Sequence, residues 1–399
     1  MIVFFIVVMF VMTLLYGYVG ARIIAPFDIS GIGLIAYWSL IALLAIAPIA
    51  GMALRFRGME NQAIDVSLWT GYFGLGVFSL AFVAFIVRDL GWVTGLLSFK
   101  LFRTFSASDS IPQLFDPDRR QFLLMSMNLG IVGVTSLLGG IGLFQARRKA
   151  SIVRQDITLK NLPRSLHGLR IVQVSDLHVG PTIKADYAQT VVDQVNALNP
   201  DLIFFTGDMV DGSVDRLSND VEPLRKLKAK YGTFFVTGNH EYYSGVEQWI
   251  EKVADLGMIH LKNEHRILNI AGASIAIAGV TDLMAHTVLK SHLTDPKQAM
   301  QGLPIDMPTI MLAHQPGTAE LTDGLAIDLM VCGHTHGGQY MPFNLAVAKA
   351  HKYAAGYYQH GDMQVYVNRG TGYWGPPLRL GIPSEITLFE LQSELGSLS

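Results

Sequence analysis

Two histidines stand one residue apart in the segment "VCGHTHGGQY", directly after a run of apolar residues. His334 and His336 would share one face of an extended chain, because side chains at positions i and i+2 of a strand point the same way. Two imidazole rings with a common direction suit metal binding, although such a pair also occurs as turn residues that satisfy local hydrogen bonds. Polar residues elsewhere in similar positions are needed to decide between the two.

Four further β-branched or aromatic runs also end in polar side chains. These side chains are Asp176, His178, Asp208, Asn239, His240 and His314, and glycines stand at 207, 238 and 333, each directly before a polar residue. Helical stretches such as "DYAQTVVDQVNALNP" separate the runs, so the pattern predicts strands connected by helices. Ligands of open α/β sheets bind at the carboxyl ends of strands. Five strand ends with oxygen and nitrogen ligands therefore predict one site, where glycine allows close backbone approach.

The first 146 residues predict membrane helices. Of the 399 residues, 50% are hydrophobic and 16% charged, whereas soluble domains carry about 25% charged residues. The stretches Met1–Ala21, Ile29–Leu54, Val66–Val87 and Gln121–Ala146 contain no Asp, Glu, Lys or Arg. Each reaches the roughly 20 apolar residues that a bilayer-spanning helix needs. We predict an all-α, four-helix transmembrane region at residues 1–146, with spans at about 1–21, 30–53, 67–87 and 122–146. The segment 91–102 either forms an interfacial helix or extends the third span.

The rest of the chain has the composition of a soluble domain. Residues 147–168 predict a linker with an edge strand around Ile152–Leu159, and residues 169–399 predict one large domain. The net charge of −2 and the lack of a basic stripe do not indicate nucleic-acid binding. The single cysteine, Cys332, excludes an intramolecular disulfide and is expected to be a buried strand residue.

The polar strand ends resemble the motifs of the calcineurin-like metallophosphoesterases. They stand in the family's order as "DLH" (176–178), "GDMVD" (207–211), "GNHE" (238–241), "AHQP" (313–316) and "GHTH" (333–336). The segments "GHTHGGQ" and "VNRGTGYWGPPLRLGIPSEITLFEL" look like the YkuE-like branch of bacterial membrane-associated phosphoesterases. The resemblance covers residues from about 170 to 399. It implies an α/β fold, a four-layer αββα sandwich, with a binuclear metal centre.

The resemblance also implies which residues hold two divalent metal ions. One ion would bind Asp176, His178 and His336, the other would bind Asn239, His314 and His334, and Asp208 would bridge them. A ligand set without thiolate favours Mn, Fe or Zn. The catalytic residues would be His240, which faces the substrate phosphate, and Asp211, which orients the ring of His240. The reaction would be phosphoester hydrolysis by a hydroxide that the two metal ions activate, with His240 assisting.

These features predict a membrane-anchored hydrolase of phosphoesters. A phosphodiester in a lipid-linked or cell-envelope substrate is expected, because the anchor holds the domain beside the bilayer. A nucleotide or cyclic-nucleotide phosphodiesterase is the alternative. A non-catalytic membrane sensor is disfavoured because every predicted ligand and His240 are present. Transport is disfavoured because the charge-free spans lack the ionisable residues that transport pathways usually need.

The location and several further residues complete the expectations. We expect a multi-pass protein of the cell membrane, and the basic residues beside the spans lean toward a cytoplasmic catalytic domain. The remaining residues of interest are His351, Tyr357, Tyr358 and His360, expected in a loop as pocket or surface residues, Arg369 and Arg379, expected as structural ion-pair partners, and His167, His260, His265, His286 and His292, expected at the surface.

Overall fold

Two units of different architecture make up the chain. The computed structural model describes residues 2–55, 57–105 and 117–394. Contacts between residues divide the chain into Met1–Leu143 and Phe144–Ser399. The first unit is helical, and the second contains every described strand.

Four long helices account for the first unit. They are α1 (Ile2–Ile24), α2 (Gly31–Arg55), α3 (Gln62–Phe105) and α4 (Pro117–Arg147), the last of which ends in the second unit. All four are long and apolar enough to cross a membrane, judged by length and composition. The third helix is longer than the predicted span 67–87, and the segment 91–102 continues it without a break. Arg88 and Asp89 therefore lie inside α3 and not at its end.

Large apolar side chains cover the outside of these helices. Phe10 is 63% exposed, Ile32 is 85% exposed and Leu97 is 62% exposed, whereas Tyr16 and Leu68 are buried between helices. Soluble proteins rarely expose apolar surface on this scale. Contact with the hydrocarbon core of a bilayer would remove the cost of exposing it to water. The unit therefore has the surface expected of a transmembrane region.

The second unit alternates strands with shorter helices. Its strands are β1 (Ser151–Leu159), β2 (Arg170–Val174), β3 (Leu202–Thr206), β4 (Thr233–Val236), β5 (Ile259–His260), β6 (Glu264–Ile270), β7 (Ala273–Gly279), β8 (Thr309–Leu312), β9 (Leu329–Cys332), β10 (Gly356–His360), β11 (Met363–Val367) and β12 (Glu385–Ser393). Its helices are α5 (Ala185–Ala197), α6 (Val214–Val221), α7 (Asn239–Tyr243), α8 (Val246–Asp255), α9 (Pro296–Met300) and α10 (Phe343–Ala350). Short 3₁₀ turns include Pro316–Leu321 and His336–Gly338.

The strands form two six-stranded sheets. The first has the order β1-β12-β2-β3-β4-β5, and the second has the order β10-β11-β9-β8-β7-β6. In the first sheet β2, β3, β4 and β5 are parallel, and β12 runs antiparallel to β2. In the second sheet β7, β8, β9 and β11 are parallel. β1 lies at the edge of the first sheet, where it pairs in parallel with β12.

Alternating side chains place each sheet between two apolar layers. Phe204 and Phe234 of the first sheet share a core with Ile310 and Val331 of the second, so the two sheets pack face to face. The other face of the first sheet packs against α5 and α8. The other face of the second sheet packs against α9 and the turn Pro316–Leu321. This is the four-layer αββα sandwich that the resemblance implies.

Trp249 ties the outer helical layer to the loop that follows β3. Its side chain is fully buried on α8, and its indole Nε1 donates to the carbonyl oxygen of Gly212 at 2.9 Å. Gly212 directly follows Asp211 in the chain. The helical layer therefore also helps to position this loop.

We expect Trp249→Phe to lower the free energy of unfolding of the second unit by about 1–3 kcal/mol, because it leaves a gap and a buried carbonyl without its donor. Thermal unfolding of the full-length protein in detergent measures the change. Ile305→Ala is the matched control, since Ile305 is 85% exposed and should change stability by less than about 0.5 kcal/mol. Equal losses in the two variants would contradict the anchoring role of Trp249.

Candidate metal centre

Polar side chains meet where five parallel strands of the two sheets end. Asp176 and His178 follow β2, Asp208 follows β3, Asn239 and His240 begin α7 after β4, His314 follows β8, and His334 and His336 follow β9. The Asp and His residues among them form three groups whose ligand atoms lie within 4.8 Å of one another. The groups are Asp176–His178–His336, His178–Asp208–His240 and Asp208–His314–His334.

Five of the predicted ligands have a left-handed backbone. The φ angles are 54° at Asp176, 52° at His178, 50° at Asp208, 71° at His334 and 51° at His336. Non-glycine residues adopt this conformation at a cost of about 1–3 kcal/mol each, so the surrounding structure must hold it in place. Hydrogen bonds between the loops do so. The backbone N–H of His178 donates to the carbonyl of Asp208 at 3.0 Å, and that of His334 donates to the carboxylate of Asp176 at 3.0 Å.

Two glycines allow the backbone to lie directly against carboxylates. A Cβ atom at Gly333 would be 2.1 Å from Oδ2 of Asp176, and one at Gly238 would be 2.2 Å from Oδ1 of Asp208. Neither distance is sterically possible, so any other residue would displace a carboxylate. The close approach that the sequence predicts at these glycines is confirmed.

The carboxylate of Asp208 lies near two sets of predicted ligands. In the first group, Nε2 of His178 lies 3.1 Å from Nε2 of His336, which is 3.5 Å from Oδ1 of Asp176. In the second group, Nε2 of His314 lies 3.1 Å from Nδ1 of His334. Oδ2 of Asp208 lies 3.1 Å from Nε2 of His314 and 3.7 Å from Nε2 of His178. Asp208 therefore lies between the groups, as a bridging ligand would.

The spacing and chemistry of these atoms fit bound cations. Ligands about 2.0–2.1 Å from one ion stand about 3 Å apart, close to the two 3.1 Å nitrogen pairs. Oδ1 of Asn239 is buried and has no hydrogen-bond partner among the described residues, which is unusual for a buried polar atom. A cation beside it would satisfy that oxygen. Imidazole, carboxylate and amide ligands without thiolate suit Mn²⁺, Fe or Zn²⁺.

Burial, charge and hydrogen bonds set the orientation and protonation of the histidines. Nδ1 of His314 donates to the carbonyl of Thr206 at 2.8 Å, which directs its Nε2 toward Asp208. Burial opposes protonation of His314, but the charge of Asp208 outweighs it and holds the pKa of His314 well above its usual range, so a cation bound there would replace a proton. Burial, with the charge of His314, lowers the pKa of His334 to about 3. Burial, with the charge of Arg379, holds the pKa of His336 well below its usual range. Both rings are neutral near pH 7 and have a lone pair for a cation.

His240 and Asp211 lie beside the two groups. Oδ1 of Asp211 contacts Nδ1 of His240, and its Oδ2 lies 3.2 Å from Nδ1 of His178. Nε2 of His240 is 3.9 Å from Oδ2 of Asp208. Burial opposes protonation of His240, but the charges of Asp211 and Asp208 outweigh it and raise the pKa of His240 to about 9. Burial likewise opposes ionisation of Asp211, and the charges of His240 and His178 reverse the effect and lower the pKa of Asp211.

Comparison with known proteins places the chain in a family. The sequence model of the calcineurin-like phosphoesterases matches residues 169–338, a range that holds all seven predicted ligands, Asp211 and His240. The chain is 35% identical over 360 residues to the "Transmembrane protein with metallophosphoesterase domain" of Danio rerio, covering 88% of this chain and 79% of that relative. The chain belongs to the calcineurin-like metallophosphoesterase family.

Bacterial members of the family match the metallophosphoesterase unit. An "Uncharacterized metallophosphoesterase" of Helicobacter pylori (strain J99 / ATCC 700824) is 36% identical over 281 residues, which is 69% of this chain and 73% of the relative. The "Uncharacterized metallophosphoesterase YkuE" of Bacillus subtilis is 32% identical over 285 residues, which is 69% of this chain and 98% of the relative. The Danio rerio match covers 88% of the chain, whereas residues 144–399 make up less than two thirds of it. That match therefore also includes much of the helical unit.

Glu241 supports the metallophosphoesterase site and was not singled out in the sequence. It is fully buried, and its carboxylate accepts from the backbone N–H groups of Asp208, Met209, Val210 and Gly238 at 2.7–3.3 Å. Burial, with the charge of Asp208, raises its pKa to about 8, while the backbone donors act in the opposite direction. The sequence held a signal, because a Glu three residues after a helix N-cap forms a capping box.

Two aromatic rings flank His240 and were also missed. The ring of Tyr243 lies 5.5 Å from that of His240, and the ring of Trp374 lies 5.4 Å from it. Tyr243 is 50% exposed and Trp374 is 44% exposed. The side chain of Gln339 fixes Trp374 by accepting from its backbone N–H at 2.9 Å and donating to its carbonyl at 3.0 Å. The rings form apolar walls next to His240.

Several secondary expectations are confirmed and others are wrong. Cys332 is a buried strand residue and Arg369 pairs with Glu385, as expected. Arg379 is fully buried, but it donates to backbone carbonyls, including that of His336, and to no carboxylate within the part of the chain that the structure describes. His292 is buried against the hydroxyl of Tyr242, so it is not a surface residue. Three residues expected in a loop lie in β10, namely Tyr357, Tyr358 and His360. His351 follows α10, and its ring lies 6.3 Å from that of His334.

We expect Glu241→Gln to lower the free energy of unfolding by about 2–3 kcal/mol, because an amide cannot accept from all four backbone donors. Metal affinity should fall about 10–100-fold, since Glu241 positions the backbone of Asp208. Thermal unfolding and metal analysis of the full-length protein measure both effects. Glu222→Gln is the matched control because Glu222 is a surface residue of similar chemistry. Retention of full metal affinity in Glu241→Gln would contradict the supporting role.

Proposed function

We propose that this metallophosphoesterase is a membrane-anchored enzyme that hydrolyses a phosphodiester, in a lipid-linked or cell-envelope substrate. The observation that carries the proposal is the pair of ligand groups that share Oδ2 of Asp208. Two cations a few ångströms apart can clamp the oxygens of a phosphoryl group. Coordination of that kind suits direct attack of water on the phosphorus atom, without a covalent phosphoenzyme intermediate.

The ligands divide between the two cations. Asp176, His178 and His336 would hold one ion, Asn239, His314 and His334 would hold the other, and Asp208 would bind both. The cations would supply Lewis acidity toward the phosphoryl oxygens and would acidify a water molecule. The protein keeps the ligands in place through the left-handed loops and the hydrogen bonds of Glu241.

His240 would act on the substrate and would not bind metal. Its Nδ1 contacts Asp211, so its Nε2 is directed toward the space next to Asp208. In its protonated form this ring can donate to a phosphoryl oxygen or to the leaving oxygen. General-acid assistance of this kind contributes about 10²–10⁴-fold to the rate.

Two observations support a substrate at the membrane. The four apolar helices would hold the enzyme at a bilayer, and the Danio rerio relative is named a transmembrane protein. The walls formed by Tyr243 and Trp374 favour an apolar or planar group next to the phosphodiester. We place the catalytic unit on the cytoplasmic side of the cell membrane, following the basic residues beside the spans.

Chelation should abolish turnover, and Mn²⁺, Fe²⁺ or Zn²⁺ should restore it. Asp208→Asn should lose both ions and lower kcat by at least about 10³-fold, because the shared ligand is weakened. Metal analysis of the full-length protein counts the ions. Asp282→Asn is the matched control, since Asp282 is a buried carboxylate at a neighbouring strand end that binds Gln315. If Asp208→Asn retained two ions, the proposal that Asp208 bridges the two cations would be wrong.

The substrate class is tested with metal-loaded full-length protein against phosphate monoesters, diesters, phospholipids, nucleotides and cyclic nucleotides. We expect diesters to be hydrolysed faster than monoesters, and lipid-linked diesters faster than soluble ones. Faster turnover of a nucleotide or cyclic nucleotide would favour the alternative, in which Trp374 stacks on the base.

His240→Asn serves as the catalytic control of that screen, with His286→Asn as its exposed match. We expect His240→Asn to keep both metals and to lose about 10²–10⁴-fold in kcat. The protonated ring is present below its raised pKa of about 9 and is lost above it. Bound cations would lower that pKa, so the wild-type rate should fall with rising pH at or below about pH 9. The variant should lack that alkaline decrease, and an unchanged pH profile would exclude the acid role.

A further inference from the structure

The helical unit contains a polar cavity among its apolar helices. The cavity measures about 280 Å³ and lies where α1 ends and α4 begins. Its polar lining consists of Arg22, Arg88, Arg120, Gln121 and Asn128. Charged side chains within transmembrane segments are costly unless they have a partner or a function. Only Arg88 lies well inside a helix, because Arg22 is in the last turn of α1 and Arg120 is at the start of α4. The feature to explain is therefore the meeting of three guanidinium groups at one cavity.

Positive charge exceeds negative charge around this cavity. Arg22 and Arg88 share the carboxylate of Asp89. Nη2 of Arg22 lies 2.7 Å from one of its oxygens, and Nη2 of Arg88 lies 2.6 Å from the other. The hydroxyl of Tyr18 also donates to Asp89, at 2.6 Å. Arg120 lies over the ring of Trp92 and has no carboxylate partner among the described residues. Three guanidinium groups thus face one carboxylate.

The helices hold the guanidinium of Arg88 in place. The side chain of Arg88 is only 10% exposed, and it donates to Oδ1 of Asn128. Nδ2 of Asn128 donates in turn to the carbonyl of Arg22 at 2.6 Å. Arg120 and Gln121 stand at the start of α4, where the free backbone N–H groups add positive potential. The groups that line the cavity are therefore mostly donors. Arg88 and Asn128 are fixed by these contacts, whereas Arg22 and Arg120 are exposed and accessible to a ligand from outside.

We propose that this cavity binds a phosphate-bearing anion, either the phosphate of an anionic lipid headgroup or a free phosphate. Guanidinium groups pair with phosphate oxygens through parallel N–H donors. The cavity volume of about 280 Å³ accommodates a phosphate group and part of what it is attached to. The site belongs to the helical unit and is separate from the metal centre, so it is independent of the proposed hydrolysis.

The test uses full-length protein in neutral detergent and two probes. One probe is inorganic phosphate, and the other is phosphatidylglycerol, with phosphatidylcholine as the uncharged comparison. Arg120→Gln removes a cavity guanidinium, while Arg119→Gln removes an exposed neighbour that does not line the cavity. Phosphate can also bind at the metal centre, but it does so equally in both variants. The difference between their dissociation constants therefore reports on the cavity.

We expect Arg120→Gln to weaken binding about fivefold relative to wild type, with Arg119→Gln near wild type. An effect in the lipid arm identifies a lipid headgroup, and an effect confined to the phosphate arm identifies a free anion. Asp89→Asn should tighten binding, because it removes the carboxylate that competes for Arg22 and Arg88. An unchanged thermal unfolding profile and helix content of the full-length protein confirm that each variant is folded. Equal losses in both arginine variants, no loss in either, or weaker binding in folded Asp89→Asn would overturn the proposal.

Discussion

The carboxylate of Asp208 is the contact on which the assembly of the site depends. Its Oδ2 lies within 3.1 Å of His314 and 3.7 Å of His178, which come from different sheets, and its Oδ1 accepts from the backbone N–H of His240 at 2.9 Å. A left-handed φ of 50° and the hydrogen bond from its N–H to Glu241 fix its position. The core shared by the sheets, centred on residues such as Phe204, must offset this strain. The site is thus preformed by packing, and cations would bind to ligands already in place.

The strand ends that carry the predicted ligands could be recognised from the sequence because they are local features. Each follows a short apolar run, and parallel strands bring their carboxyl ends to one edge. Contacts between distant segments could not be predicted in this way. Trp374 reaches His240 only because Gln339, 35 residues earlier, holds its backbone. The burial of His292 depends on Tyr242, 50 residues away. Glu241 is the exception, since its capping position could have been recognised from the sequence.

The length of the third helix shows why charge alone is a poor guide to where a helix ends. A charge-free window stops at Val87, but α3 continues to Phe105. Arg88 and Asp89 are compatible with a helix interior because Asp89 also binds Arg22 of α1, while Arg88 binds Asn128 of α4. Such pairing between helices lowers the cost of charge in an apolar environment. Sequence periodicity contains no information about these partners, so the charge-free window covers only part of α3.

The carboxylate of Asp211 contacts both His240, the proposed proton donor, and His178, a predicted metal ligand. One of its oxygens contacts Nδ1 of His240, and the other lies 3.2 Å from Nδ1 of His178. The two rings stand 4.7 Å apart and nearly perpendicular, at 88°. Both rings therefore contact the same carboxylate, which fixes their relative position. If His178 binds a cation and His240 meets a substrate oxygen, as proposed, this arrangement would set the separation between them, which is the condition for one phosphoryl group to contact both.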